Sequence, residues 1–347
     1  SCLDQINPAG VLSVTIDSYV IHLIYLGCKR RGIPFIGLIP SFVKGYFRIA
    51  ALGESQSARV VSDSEVNAVC ETLLNPDYKP SFLVRTTKDM KKRAVRNWLR
   101  NLPKPIWFRA RRLATNDPLN CHYLTTQIIS QRYWSIWPQS YKGEEIIALG
   151  DLKILGSGKP LVFLPLQMSP EATIDYWSTD IDWIDYENYV LDIIDRYKDN
   201  CVFLLKEHPN VLGFRSPGFY DRLKSRENCI MIATETASNK VLEVCNATLV
   251  CTGTVGFEAS MRGVPVYSDN SIWHLPQGTV RPLNTLAELS SESRVDSRNC
   301  EGLVRNLLIG LLPGDLVNDG SWQQDNPNDV KRNVEVATSI KAYYLQF

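Results

Sequence analysis

Apolar runs alternate with polar turns along most of this chain, and the length of each run limits what it can become. Residues 11–16 are short, apolar-rich and end at Asp17, which predicts a strand. Residues 20–28 predict a helix, closed by the basic turn Lys29-Arg30-Arg31-Gly32, and residues 35–39 predict a second strand stopped by Pro40. Strand, helix, strand in that order is the rhythm of a parallel sheet. Ser62-Asp63-Ser64-Glu65 has the form of a capping box, and Val66, Val69 and Leu73 follow at helical spacing. The second half repeats the rhythm more cleanly. Strands are predicted over 160–166, 201–205, 229–233, 247–251 and 264–267, and helices over 186–197, 239–245 and 255–262. Tyr189, Val190, Ile193 and Ile194 would form the buried face of the 186–197 helix. Residues 330–345 predict a last helix. Strands separated by helices of this length mean a doubly wound sheet.

With 347 residues, the chain exceeds the size at which single cores stop growing. The expected division is an N-terminal domain over 1–150, a C-terminal domain over 151–329, and a helix over 330–347 that packs back on the first domain. A net charge of +1 argues against a polyanion binder at the level of the whole molecule. The nine cysteines include no CxxC pair and several sit in strand-like runs, which reads as buried thiols in a reducing compartment. The four histidines are not spaced with other ligands as a zinc site requires, so no metal is expected. No apolar stretch reaches the roughly 18 residues a membrane span needs, and no signal peptide is visible, so a cytoplasmic location is the expectation.

One segment departs from this balance. Of the 28 residues from 85 to 112, 11 are Lys or Arg and only Asp89 is acidic, with Trp98, Trp107 and Phe108 interleaved. A solvated helix face is the plain reading. An anionic membrane surface or an anionic acceptor would be drawn to the same charges, with Lys91, Lys92, Arg93 and Arg96 at their centre. Nothing in the segment matches a nucleic-acid-binding motif, and no nucleic acid partner is expected.

The chemistry concentrates at predicted strand ends. Leu205-Lys206-Glu207-His208-Pro209 follows one apolar run, and Thr252-Gly253-Thr254-Val255-Gly256 follows another. In open α/β sheets ligands sit at the carboxyl ends of strands. A cation, an imidazole, two hydroxyls and a glycine there suit a phosphorylated ligand. Glu258 could reach a ribose or simply compensate its helix dipole. The stretch from Gln167 to Ile174 leaves a third strand and carries Glu171 just after Pro170, a position equally natural for a helix-start acid.

Taken together, Gln167 to Ile174, Lys206 to Pro209 and Thr252 to Pro265 resemble the bacterial capsule polysaccharide biosynthesis family, which includes the Kdo transferases, and more loosely the sialyltransferases with a His-Pro motif. The resemblance covers about residues 160 to 270. It implies a GT-B fold, with two Rossmann-like doubly wound domains and an interdomain cleft. It also implies a metal-independent glycosyltransferase with no cofactor beyond its nucleotide-sugar donor, CMP-linked by preference and carrying Kdo or a related acidic sugar. The acceptor would be a surface polysaccharide or glycolipid, reached from the inner face of the plasma membrane. By the same resemblance Gln167, Lys206, His208, Thr252, Gly253, Thr254 and Glu258 would hold the donor nucleotide. Glu171 and Glu207 are the candidate catalytic carboxylates, and Glu171 stands where the family commonly has Asp; the nucleophile role, giving retention, is favoured for it. Two other readings share the architecture. A UDP-sugar transferase or UDP-sugar 2-epimerase would need acids from the N-terminal half, where Asp17 and Glu54 are the ones near strand ends. A non-catalytic component of a polysaccharide assembly complex would bind nucleotide sugar without turnover.

Overall fold

The computed structural model describes residues 2–75, 158–169, 171–208, 215–270, 272–290, 299–316 and 327–345, with Tyr78, Val211 and scattered positions between 92 and 114. The N-terminal part runs α1 (Cys2–Ile6), β1 (Val11–Val14), α2 (Tyr19–Arg31), β2 (Phe35–Pro40), β3 (Tyr46–Ile49) and α3 (Asp63–Leu74). Local chemistry sets these boundaries. The Ser18 hydroxyl accepts from the Ile21 amide at the start of α2, and Gly32 ends it in the left-handed region at φ 68°. The Ser62 hydroxyl accepts from the Glu65 amide to start α3.

The C-terminal part continues with β4 (Leu161–Pro165), α4 (Ala172–Asp175), a 3-10 turn (Ile181–Asp185), α5 (Tyr186–Arg196), β5 (Val202–Lys206), α6 (Phe219–Lys224) and β6 (Cys229–Ile232). Then follow α7 (Ser238–Val244), β7 (Ala247–Leu249), α8 (Val255–Met261), β8 (Val266–Tyr267), β9 (Val280–Arg281), α9 (Cys300–Ile309), β10 (Leu312–Pro313) and α10 (Pro327–Tyr344).

Six strands form one sheet in the order β6-β5-β4-β7-β8-β9, every neighbouring pair parallel. Counted from β4, this is the order of the dinucleotide-binding folds, with its switch point between β4 and β7. The central strands are buried on both faces. Leu161, Phe163, Val202 and Leu204 point into one core cluster, and Val162, Leu164, Phe203 and Leu205 into the other. This period of two, apolar at every position, is what a covered parallel sheet requires.

The other sheet has the order β1-β2-β3-β10. It begins as a parallel β1–β2 pair joined through α2, and is extended by β3 and β10 running antiparallel. The chain is thus a mixed α/β protein of two Rossmann-like units. The units are stitched at two places. Phe42, Val43, Val66 and Val69 from the N-terminal part share a core cluster with Val304, Leu307 and Leu308 of α9 and with the six-stranded sheet. After α9 the chain returns to the first sheet through β10, and α10 covers it, with Tyr343, Val336 and Ile340 against Ile36, Phe47 and Ile49. No described helix is long and apolar enough to cross a membrane.

Phe203, fully buried at the centre of β5, reports the integrity of the six-stranded sheet. Phe203→Ala should cost about 3–5 kcal/mol, the usual range for a truncated core aromatic. Urea unfolding should show a lower midpoint with an unchanged m-value. A cost below about 1 kcal/mol would mean the sheet is looser than its packing implies.

Candidate functional site

The three predicted ligand motifs leave β4, β5 and β7, adjacent strands whose carboxyl ends share one edge of the six-stranded sheet. Gln167, just beyond β4, spans the switch point. Its Nε2 donates to the Thr252 hydroxyl at 3.4 Å, and its Oε1 accepts from the Thr252 amide at 3.3 Å. A Cβ at Gly253 would sit 3.2 Å from the same Gln167 amide, so the loop passes close over it. The Gln167 backbone is fixed in turn. Its N–H donates to the Tyr186 hydroxyl at 2.6 Å, and its carbonyl accepts from Arg215.

Arg215 is the centre of a buried network. Its guanidinium meets Glu207 through two bonds, Nε to Oε2 at 2.8 Å and Nη2 to Oε1 at 2.7 Å, with both side chains essentially inaccessible. Burial alone would lower the Arg215 pKa, but the Glu207 carboxylate outweighs it and holds the guanidinium charged. Glu207 also accepts from the Tyr220 hydroxyl at 2.8 Å and from the His208 amide at 2.6 Å. Both of its oxygens are thus engaged within the loop, by the Arg215 guanidinium, the Tyr220 hydroxyl and the His208 amide. The His208 imidazole is pushed below the usual histidine range, first by burial, with Glu207 opposing and the charges of Arg215 and Lys206 assisting. It is therefore neutral at physiological pH.

Lys206 and Glu258 lie at the same edge. Lys206 is pulled down by burial, against the charges of Glu258 and Glu235, and its Nζ donates to the Ser238 hydroxyl at 3.4 Å. Glu258 is raised by burial, against Arg262 and Lys206. Two ionisable groups in a dry environment influence each other here. Thr254 starts α8 without a side-chain capping bond, which leaves its hydroxyl uncommitted to its own helix.

Glu171 sits at the start of α4, also without a capping bond, and accepts from the Thr173 hydroxyl at 3.0 Å. Burial raises its pKa, the Thr173 bond opposes, and Asp175 adds to the rise. The Cys251 thiol, two residues beyond β7, is raised chiefly by burial, with the Glu171 charge the smallest of its contributions.

The N-terminal unit meets this edge through Trp177, whose Nε1 donates to the Ile16 carbonyl at 2.8 Å. Asp17, the next residue, is exposed, and its charge reaches Tyr176. The Glu54 carboxylate accepts from the amides of Ala51 and Leu52 at 2.8 and 2.7 Å and from Gln56 at 2.9 Å, closing its own turn. Lys91 and Arg93 lie outside the described residues, while Lys92 and Arg96 are exposed helical positions. Among the described residues no cluster of three or more His, Cys, Asp or Glu could hold a metal.

Several residues of this region escaped the sequence reading. Arg215 lies eight residues beyond Glu207, in a loop whose glycines and prolines masked its one cation. Asn270 accepts from the Ser178 hydroxyl at 2.8 Å and from the amides of Thr179 and Asp180 at 2.9 and 3.2 Å, anchoring the segment after Trp177 to the loop beyond β8. Nothing local in the sequence joins residues 90 apart.

No family model matches the sequence, and no curated protein matches it. Among solved structures, the chain is similar to two KpsC structures from Thermosulfurimonas dismutans. The beta Kdo 2,7 transferase is 14% identical with a TM-score of 0.39, covering 89% of this chain and 94% of that one. The beta Kdo 2,4 transferase is 14% identical with a TM-score of 0.38, covering 89% and 82%. A UDP-GlcNAc 2-epimerase from Methanocaldococcus jannaschii, in complex with UDP-GlcNAc and UDP, is 14% identical with a TM-score of 0.27, covering 97% and 77%.

Removing Arg215 should be far more damaging than its position in a loop suggests. Arg215→Ala leaves Glu207 buried and unpaired and should cost about 3–5 kcal/mol. The double variant Arg215→Met/Glu207→Gln should recover part of that loss in thermal unfolding. If the single variant melts within a degree or two of wild type, the pair does not hold the loop.

Proposed function

We propose that this chain is a GT-B glycosyltransferase that takes its sugar from a nucleotide donor, and that the donor phosphate docks at the switch point between β4 and β7. The observation that carries this reading is the Gln167–Thr252 bridge. It sets Thr252, Gly253 and Thr254 from β7 beside the β4 loop that bears Glu171. His208 comes to the same edge from β5, held by its amide bond to Glu207. As a neutral imidazole it can donate one N–H to a phosphate oxygen without bringing a charge. The Lys206 ammonium complements the phosphate, and Glu258 is the acceptor for ribose hydroxyls. CMP is the favoured nucleotide and an acidic sugar such as Kdo the favoured cargo, on the resemblance of these motifs to the Kdo transferases.

Glu171 is the reacting carboxylate in this scheme. Partial burial strips it of water, which makes it both a stronger base and a stronger nucleophile. As a nucleophile, it attacks the anomeric carbon while the bond to the nucleotide phosphate breaks and the nucleotide leaves with the electron pair. The acceptor hydroxyl then displaces the carboxylate, and the configuration is retained. As a base it would instead take the acceptor proton in a single displacement with inversion. The resemblance favours the first. An epimerase-like chemistry would draw acids from the N-terminal unit, and the closure of Glu54 on its own turn leaves Asp17 alone there. The basic segment around Lys91, Lys92, Arg93 and Arg96 would hold an anionic membrane surface or acceptor nearby.

Thermal-shift titration tests the donor. CMP at about 100 times its dissociation constant should add about 2.7 kcal/mol, more than UDP, GDP or ADP. Equal or greater stabilisation by UDP would overturn the cytidine assignment and leave the architecture intact. His208→Ala should weaken the same nucleotide by about 1.5–3 kcal/mol, the worth of a hydrogen bond to a charged group, with the fold preserved.

Glu171→Gln separates catalysis from binding. Turnover should fall by at least about 100-fold while donor affinity stays within a few-fold. Because the native carboxyl is raised above its unfolded value, its ionised form penalises folding as pH rises through the native pKa. Glu171→Gln should therefore melt higher than wild type at neutral pH, and the gain should vanish on acidification. A sugar adduct on the Glu171 peptide, seen by mass spectrometry with donor alone, identifies the nucleophile. More than about a tenth of wild-type turnover in the variant would remove Glu171 from the chemistry.

A further inference from the structure

The two most deeply buried arginines among the described residues are treated differently. Arg215 and Arg48 are each 1% exposed. Arg215 has the bidentate Glu207 carboxylate. Arg48, on β3, has no carboxylate within ion-pair distance among the described residues. Its Nη1 donates to the carbonyls of Gly53 and Glu54, and its Nε donates to nothing. The guanidinium is flanked by aromatic rings of the other unit, 3.6 Å from the Trp273 centroid and 5.5 Å from that of Trp177. The fit is close. A Cβ at Gly53, which sits at φ 92°, would press against Trp177 at 3.1–3.2 Å.

Beside Trp273 lies a second anomaly. His274 is fully buried, and neither ring nitrogen has a hydrogen-bond partner among the described residues. Burial, with the positive charge of Arg48 as the next contribution, pushes the imidazole down to about 3, while the backbone of Gly253 acts in the opposite direction without meeting hydrogen-bond geometry. Arg48, Trp273, His274 and Gly253 thus form a continuous seam from the N-terminal unit to the Thr252-Gly253-Thr254 loop. The Arg48 guanidinium is itself depressed to about 9 by burial, with the Glu54 charge opposing.

Two carbonyls and aromatic faces hold this cation without a paired carboxylate, and a hydrophobic residue of similar volume would avoid the cost of burying the charge. Charge kept in such a place is a feature of ligand sites, where stability is given up for binding. Trp177 belongs to the segment that begins with Glu171, so Arg48 lies beside that segment as well as beside Trp273.

We propose that Arg48 is the N-terminal unit's contribution to ligand binding, its guanidinium taking an anionic oxygen of the bound donor, either sugar carboxylate or phosphate. This rests on the donor-site reading above. Closure of the units around a donor would then be driven in part by neutralising this cation.

Calorimetric titration of the full chain tests the proposal, comparing wild type, Arg48→Met and Arg48→Lys. The ligands are cytidine, CMP and CMP-N-acetylneuraminate, and the matching series uridine, UDP and UDP-glucuronate. If Arg48 takes phosphate, Arg48→Met weakens the nucleotide about tenfold and leaves the nucleoside unchanged. If it takes the carboxylate, nucleotide affinity is unchanged and the acidic nucleotide sugar loses about tenfold. Arg48→Lys should retain part of the affinity in either case. In the absence of ligand, Arg48→Met should melt at or above the wild-type temperature. Unchanged affinities across both series overturn the proposal alone. A variant that unfolds, or melts lower with affinities intact, makes Arg48 a packing contact between the units and overturns it equally. A wild type that binds no nucleotide overturns the donor-site reading, and this proposal falls with it.

Discussion

The buried ion pair of Glu207 and Arg215 is the constraint on which the ligand edge depends. Two opposite charges are withdrawn from water together, and the cost is offset because nearly every polar valence nearby is used. Glu207 fixes the His208 amide and the Tyr220 hydroxyl. Arg215 holds the Gln167 carbonyl. Gln167 then clamps Thr252 with its side chain. Three strand ends are bound into one rigid rim by a chain of hydrogen bonds that starts from a single ion pair. A rim built this way is pre-organised, so a ligand arriving there would not have to order it.

The carboxylates of the molecule illustrate how environment assigns roles. Glu207 and Glu54 are both near strand ends, and each is closed on itself by donors. Glu171 accepts from the Thr173 hydroxyl at 3.0 Å, and burial raises its pKa. Glu258 is likewise raised by burial and Lys206 lowered by it, and each opposes the other's shift. Spacing in the sequence makes these acids look alike. Hydrogen-bond donors brought from elsewhere in the fold tell them apart.

The relation between the units follows from the path of the chain. The α3 helix belongs to the first half of the sequence but shares a core with α9 and the second sheet. The α9 helix leads back to β10 and the first sheet. Trp177 and Trp273 reach across from the second unit to Ile16 and Arg48. Each unit is therefore completed by residues from the other half of the chain, which couples the position of the first sheet to the ligand edge of the second.

The six-stranded sheet was legible in the sequence because its strands are short apolar runs bounded by turns, and its helices carry a clear apolar face. Predicted and observed boundaries for α5, β5 and α8 agree to within a residue or two. That Gln167, Lys206, His208 and Thr252 would come to one edge was also legible, since parallel strands must present their carboxyl ends together. Other features were settled only by the fold. The return through β10 and the packing of α3 against α9 depend on contacts between residues more than 200 apart, such as the Ser57 hydroxyl with the Gly310 carbonyl. The role of Glu207, the clamp by Asn270 and the solitary charge of Arg48 depend on which donor or acceptor arrives from a distant segment. Sequence fixes the residues and the local period. Whether a charged side chain is neutralised, committed or left without a carboxylate is set by low-dielectric surroundings that exist only once the chain has folded.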